Sequence, residues 1–166
     1  AGDPAMQGLA MSIALAGCLI GALTSGMLAD KLGRKPLLLL SALIFVLTAY
    51  GTGAFSNFQY FLLARFGGGI AIGIASGLSP MYIAEVAPAS IRGKLVSLNQ
   101  LTIVIGILAA QIVNWLLVSD DTAWNVAMSW RWMFWSAAFP ALAFLVLAAF
   151  IPESPRWLAM KGRRER

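Results

Sequence analysis

One apolar stretch of the sequence has a charged residue at each end. Arg65 precedes and Glu85 follows the run 66–84, which contains no charged side chain. A charge near the membrane interior costs on the order of 2.5 to 3.5 kcal/mol on insertion scales, so it usually has a partner and a function. The spacing therefore predicts a membrane helix that carries a functional charged group at both ends.

Small residues repeat every fourth position within this stretch and within the first apolar run of the chain. Gly69, Gly73 and Gly77 fall on one face of a helix, and a second stripe consists of Gly17, Gly21 and Ser25. A face without side-chain bulk lets the backbone of another helix approach closely. Both stripes therefore predict tight helix packing.

Composition excludes an ordinary soluble domain. The 166 residues are 60% hydrophobic and only 11% charged, with a mean hydropathy of +0.80. Five uncharged runs are long enough to cross a bilayer, which takes about 20 apolar residues. The sequence predicts an all-α integral membrane protein with transmembrane helices at 7–29, 36–54, 61–85, 93–118 and 132–151.

The basic residues follow the pattern of membrane topology. Ten of the twelve Lys and Arg residues fall in alternate connections between the five helices: Lys31, Arg34, Lys35, Arg92, Lys94, Arg156, Lys161, Arg163, Arg164 and Arg166. The opposite side holds Arg131 with Asp3, Asp120 and Asp121. The positive-inside rule therefore predicts an external N-terminus and a cytoplasmic C-terminus. Because the basic residues do not gather on one face, no nucleic-acid partner is expected.

The fourth predicted helix carries a polar face. Gln100, Gln111 and Asn114 lie at helical spacing with Val104 and Ile107. Amide groups can bond sugar hydroxyls while aliphatic groups contact the ring carbons, so this face suits a sugar. Hydrogen bonding between helices is the alternative, and periodicity alone does not separate the two.

Residues for enzyme chemistry are scarce. The chain has no histidine and one cysteine, Cys18, and its few carboxylates lie in loops or at helix ends. The sequence shows no metal-ligand cluster, nucleotide-binding loop or nucleophile–base pair. We therefore expect no enzyme activity, no cofactor and no metal.

Three motifs resemble those of known transporters. Residues 26–35 match the pattern G-x-x-x-D-[RK]-x-G-R-[RK] of the major facilitator superfamily at every fixed position. The order R-x-x-x-G-x-x-x-G, P-x-Y-x-x-E-x-x-P-x-x-x-R-G over 65–93 and the segment P-E-S-P-R-W-L at 152–158 resemble the sugar porters of that superfamily. The W-R-W-M-F segment at 130–134 resembles bacterial sugar/proton symporters more than animal facilitators.

The resemblance implies a place for this chain within a larger fold. Its five helices would correspond to helices two to six of a twelve-helix transporter, 1–151 forming part of the N-terminal bundle. Residues 152–166 would begin the cytoplasmic helical linker. The expected partners are a monosaccharide, protons, the lipid bilayer, and the first helix and C-terminal half of the transporter. The expected location is the cell (inner) membrane.

The resemblance also implies roles for individual residues. Arg65 would couple transport to protons. The substrate would contact Gln100, Ile103, Val104, Ile107 and Gln111. The cytoplasmic gate would consist of Gly26, Asp30, Gly33, Arg34, Lys35, Glu85, Arg92, Gly93, Glu153 and Arg156.

The predicted function is sugar transport by alternating access, with proton symport as the expected mode. Three alternatives stay open on the sequence: facilitated diffusion of a sugar, transport of an organic ion by a related facilitator, and a sugar sensor that does not transport.

Overall fold

A computed structural model describes residues 3–118 and 123–162. The predictions that rest on Asp120, Asp121, Arg163, Arg164 and Arg166 lie outside these residues. The described part of the chain forms seven helices: α1 Pro4–Leu32, α2 Arg34–Ala54, α3 Phe58–Val86, α4 Arg92–Leu117, α5 Ala123–Ser136, α6 Ala138–Phe150 and α7 Pro155–Met160.

Five segments are long and apolar enough to cross a membrane. They are α1 to α4 and the stretch Ala127–Phe150, which joins most of α5 to α6. A row of large apolar side chains on α1 is more than half exposed: Leu15, Leu19, Leu23 and Met27. Such a row is unfavourable in water and favourable against lipid. The prediction of an all-α membrane fold with five crossing segments is confirmed.

The last crossing segment differs from the single helix predicted at 132–151. It begins earlier, at Ala127 within α5, and is interrupted at Ala137 between α5 and α6. Pro140 has no amide hydrogen, so it cannot donate to the carbonyl one turn earlier. At the interruption, the amide of Ala137 donates to the Phe134 carbonyl, three residues back, at 3.2 Å. The observed ends of α1 to α4 lie within three residues of the predicted ends.

The small-residue stripes of α1 and α3 pack against each other. Gly17 and Gly21 are buried on α1, and Gly69 and Gly73 are buried on α3. A Cβ atom at Gly73 would overlap the carbonyl oxygen of Cys18 and lie 2.8 Å from the amide nitrogen of Ala22. The two backbones are therefore in direct contact, as the stripes predict.

Helix α2 packs against α3, α5 and α6, and side chains from the last crossing segment hold its C-terminal end. Arg131 on α5 donates through Nη1 to the carbonyls of Gly53 and Ala54, both at 3.0 Å, and through Nη2 to Ser56 Oγ at 2.9 Å. The last carbonyls of a helix have no partner within it and carry partial negative charge. Arg131 satisfies two of them.

Helix α4 is the least packed of the crossing helices. It contacts α3 and α5 but buries none of its residues. The other four crossing segments each contain buried residues within the described part of the chain. The polar face predicted on α4 is therefore open in this structure.

The contact between α1 and α3 generates a testable prediction. We expect Gly73→Ala to lower the free energy of unfolding by about 1 to 3 kcal/mol, because the added methyl group forces the two backbones apart. Gly106→Ala on α4 is the matched control, since a Cβ there meets no atom within 4 Å; it should be neutral or stabilising. Unfolding in mixed micelles, followed by circular dichroism, measures both. Equal effects would show that close approach does not stabilise this pair.

Candidate functional site

Charged residues of α1, α2, α3 and the segment between α6 and α7 meet where α1 and α3 end and α2 begins. Arg34 is the first residue of α2, and its side chain is only 4% exposed. Its Nε donates to Glu85 Oε2 at 3.1 Å, and its Nη2 donates to Glu85 Oε1 at 2.9 Å. The Glu85 side chain is 6% exposed. This is a buried, bidentate arginine–carboxylate pair, the strongest geometry available to these two groups.

The end of α1 supplies further acceptors to the same guanidinium. Arg34 Nη1 donates to the carbonyl of Ala29 at 3.0 Å and lies 3.1 Å from Asp30 Oδ1. Four of the five guanidinium N–H groups are thus directed at oxygen atoms. The Asp30 side chain is 66% exposed, so solvent screens its charge. Glu85 is therefore the main counter-charge of Arg34.

The segment between α6 and α7 binds the other side of Glu85. Ser154 is fully buried, and its hydroxyl donates to Glu85 Oε2. One turn earlier on α3, the hydroxyl of Tyr82 donates to the carbonyl of Pro152 at 2.8 Å. These two bonds join the segment after the last crossing helix to the end of α3.

Glu153 caps the first turn of α2. Its carboxylate accepts from the backbone amides of Arg34 at 2.9 Å and of Lys35 at 3.2 Å. An anion is favoured there because the first amides of a helix lack partners and carry partial positive charge. Gly33, just before α2, has a φ of +99°, and a Cβ there would lie 2.5 Å from Glu153 Oε2. Glycine is required at this position for both reasons.

We call Asp30, Arg34, Glu85, Glu153 and Ser154 the Arg34 cluster. Trp157 of α7 binds to the same region: its ring is buried, and Nε1 donates to the carbonyl of Asp30 at 3.1 Å. The cluster thus joins the end of α1, the start of α2, the end of α3 and the segment that follows α6.

Six of the ten residues predicted for the gate are not members of the Arg34 cluster: Gly26, Gly33, Lys35, Arg92, Gly93 and Arg156. Arg92 donates to the Ala87 carbonyl at 3.3 Å, and among the described residues it pairs with no carboxylate. Arg92 and Glu85 therefore do not pair within the described residues. Arg156 and Gly93 are exposed, and a Cβ at Gly93 or Gly26 would meet no atom within 4 Å. Lys35 contributes its backbone amide to Glu153.

Arg65 lies near the opposite end of α3. It follows the helix start at Phe58 by seven residues, about two turns, whereas the helix start predicted at residue 61 would place it about one turn in. Its Cζ atom lies 5.4 Å from the centre of the Phe134 ring, within range of a cation–π contact. Among the described residues no carboxylate pairs with Arg65.

The residues predicted to bind substrate all lie on α4. Gln100, Val104, Ile107 and Gln111 share one face, and all four are exposed. Ile103 is directed elsewhere: it lines, with Asn99, a cavity of about 410 Å³ between α2, α3, α4 and α6. The structure therefore keeps four of the five candidates together and places Ile103 on the neighbouring face.

Sequence reasoning missed the uncharged members of these sites. Ser154 and Trp157 belong to the P-E-S-P-R-W-L segment, but the prediction selected only the charged residues of that motif. A serine directly before Pro155, at the start of α7, is a signal for a helix cap and could have drawn attention to it. The sequence shows no signal that places Phe134 beside Arg65.

Comparisons with known proteins place the whole chain in one group. Residues 3–166 match the family described as "Sugar (and other) transporter". The chain is 44% identical to a glucose transport protein of a Synechocystis strain, over 99% of this chain and 36% of the relative. It is 40% identical to the D-xylose-proton symporter of Escherichia coli K12, over 96% of this chain and 36% of that protein.

A solved structure matches the fold. The proton:xylose symporter XylE, described as bound to 6-bromo-6-deoxy-D-glucose, superposes with a TM-score of 0.90 at 39% identity. The match covers 96% of this chain and 38% of that structure. The chain therefore spans little more than a third of the length of these relatives.

The buried pair leads to a prediction about stability. We expect Glu85→Gln to lower the free energy of unfolding by about 3 kcal/mol, because it leaves the buried Arg34 charge without its main partner. Arg92→Gln is the control from the same predicted gate. It should lower the free energy of unfolding by about 1 kcal/mol or less, because Arg92 makes a single long hydrogen bond. Denaturant titration in micelles measures both. A loss for Arg92→Gln as large as that for Glu85→Gln would contradict this assignment.

Proposed function

This chain belongs to the sugar transporter family, and we propose that it forms part of a transporter that moves a monosaccharide together with protons by alternating access. The observation that carries the proposal is its 40% identity, over 96% of its length, to a protein named as a D-xylose-proton symporter. The chain is a multi-pass membrane protein with an all-helical fold that matches a solved xylose symporter.

The proposed activity needs helices beyond those of this chain. Alternating access requires two bundles that rock about a site near the middle of the membrane. We assign the five crossing segments to helices two to six of a twelve-helix transporter. A first helix and a C-terminal half would then cover α4, which buries none of its residues here.

We assign the Arg34 cluster to the cytoplasmic side of the membrane. Ten of the twelve basic residues belong to that side by the positive-inside rule, which also gives an external N-terminus. The cluster would act as a gate, because it fixes the ends of α1, α2 and α3 to the segment after α6. Among the described residues, the side chains of Arg92, Lys35 and Arg156 make no hydrogen bond or ion pair to the cluster, and they would remain available to the opposing half.

The exposed face of α4 would bind the sugar. Gln100 and Gln111 offer amide donors and acceptors, and Val104 and Ile107 offer apolar contact between them. A bound sugar ring requires both kinds of contact. Ile103 would act from the neighbouring face, through the cavity that it lines with Asn99.

Arg65 would couple sugar movement to protons. A guanidinium stays charged at any accessible pH, so Arg65 cannot itself carry the proton. It can hold a nearby carboxylate of another helix in its ionised form, and separation of the two would let that carboxylate take up a proton. The absence of an ion-pair partner among the described residues leaves Arg65 able to make such a pair.

A chimera tests the proposed function. The chain would replace the matched segment of the E. coli D-xylose-proton symporter, and the chimera would be reconstituted in liposomes with labelled xylose, glucose, arabinose or galactose. We expect sugar to accumulate only when a proton gradient is imposed. Equal uptake without the gradient would indicate facilitated diffusion. Sugar binding without uptake would favour a sensor, and uptake of organic ions alone would place the chain with another branch of the superfamily.

Arg65 variants separate coupling from binding. In the chimera, we expect Arg65→Ala to abolish accumulation driven by the proton gradient while sugar exchange across the membrane continues. Arg65→Lys should keep part of the coupling, because it retains the charge but loses the planar fork. Uptake and counterflow on the same liposomes measure the two activities. Concentrative uptake that survives Arg65→Ala would make Arg65 a packing residue only.

A second pair of variants tests the sugar face. We expect Gln100→Ala to weaken xylose binding to the chimera by about 1 to 3 kcal/mol, because sugar hydroxyls lose a buried partner. Gln59→Ala is the matched control: it removes an exposed glutamine on α3, a helix that carries none of the proposed sugar contacts, and xylose affinity should not change. Calorimetry on folded protein measures both affinities. If both variants bind xylose as tightly as the unsubstituted chimera, Gln100 does not contact the sugar.

A further inference from the structure

We propose that Phe134 is a positioning residue for Arg65, whose guanidinium it holds against its ring while leaving the N–H groups free to bind a carboxylate. The inference rests on the coupling role proposed for Arg65. Its structural basis is the 5.4 Å distance from Arg65 Cζ to the centre of the Phe134 ring. Arg65 is partly buried, and its side chain makes no hydrogen bond or ion pair to the other described residues.

A partly buried cation without a counter-charge needs compensation. The face of an aromatic ring carries partial negative charge and attracts a guanidinium without accepting a conventional hydrogen bond. Phe134 can therefore stabilise Arg65 during the part of a transport cycle in which the carboxylate is protonated and its negative charge is lost. A hydrogen-bond acceptor in the same place would compete with the carboxylate for the same N–H groups.

Neighbouring rings fix the orientation of Phe134. Its ring packs edge-to-face with Phe61 of α3, at 5.8 Å and 76°, and with Trp130 of α5, at 6.4 Å and 80°. Phe61 and Trp130 also contact each other edge-to-face, at 6.3 Å. Edge-to-face contacts with two rings that also contact each other leave Phe134 little freedom to rotate. Phe61 and Trp130 together therefore fix the ring surface that Phe134 presents to Arg65.

The backbone that carries Phe134 is fixed as well. Arg131, one turn earlier on α5, holds this helix to the last carbonyls of α2. Its own guanidinium lies 4.7 Å from the ring centre of Trp130. Trp135, the residue after Phe134, donates through Nε1 to the carbonyl of Tyr50 at 3.2 Å. Bonds on both sides of Phe134 therefore tie α5 to α2, so the backbone that carries the ring is attached to a helix other than α3.

The first test needs only the purified 166-residue chain. In an arginine-labelled sample in micelles, the Nε–H resonance of Arg65, assigned by its loss in Arg65→Lys, should show a ring-current shift. We expect Phe134→Leu to remove that shift and Phe134→Tyr to preserve it. Phe58→Leu is the matched control, since Phe58 stacks on Phe61 but makes no ring contact with Phe134 and no cation–π contact with Arg65; the shift should remain. A resonance that Phe134→Leu leaves unmoved would overturn the proposal.

The second test measures coupling in the chimera. We expect Phe134→Leu to reduce gradient-driven accumulation by roughly threefold to tenfold, the equilibrium equivalent of losing one cation–π contact, with exchange changed by less than about twofold. Phe134→Tyr should keep accumulation near that of the unsubstituted chimera, and Phe58→Leu should affect accumulation and exchange equally. Matching behaviour of Phe134→Leu and Phe58→Leu would refute the positioning role. If the unsubstituted chimera shows no proton-driven uptake, the proposed function fails, and the resonance test still decides whether Phe134 holds Arg65.

Discussion

The buried Arg34 guanidinium is the constraint on which one end of this structure depends. A charge that is 4% exposed has lost nearly all its contact with solvent, so protein oxygen atoms must replace the water. Those atoms come from the end of α1, through Ala29 and Asp30, and from the end of α3, through Glu85. Ser154 then binds the same carboxylate from the segment after α6. The position of four chain segments follows from satisfying one cation and its counter-ion.

Opposite charges at the two ends of α2 extend this constraint along the bundle. Glu153 binds the amides at the start of α2, and Arg131 binds the carbonyls at its end. Each charge complements the partial charge of the helix terminus that it meets. Because Arg131 lies on α5 and Glu153 follows α6, the whole last crossing segment is aligned along α2. The interruption at Ala137 lies between these two attachments, so it does not separate α6 from the bundle.

The sequence predicted those features that repeat or belong to long motifs. The stripes through Gly21 and Gly73 predicted close packing, and hydrophobic runs predicted the crossing helices, because both depend on local spacing alone. The motif resemblance placed Arg34, Glu85 and Arg92 in one predicted gate, but the order of residues does not say which cation pairs with Glu85. That choice depends on how α2 and α4 approach α3. The contact of Phe134 with Arg65 likewise depends on tertiary packing that no local pattern records.

The polar groups of this membrane bundle divide into two kinds. Arg34, Arg131, Glu85 and Glu153 have several partners each within the described residues, and those bonds hold helices in place. Arg65 and Gln100 lie on crossing helices without such partners, although an unpaired polar group in an apolar environment is costly. Internal packing therefore accounts for the first kind and not for the second. A role in binding a substrate or a partner helix would account for both unpaired groups. Arg65 belongs to the coupling site that we propose on α3, and Gln100 belongs to the sugar site that we propose on α4.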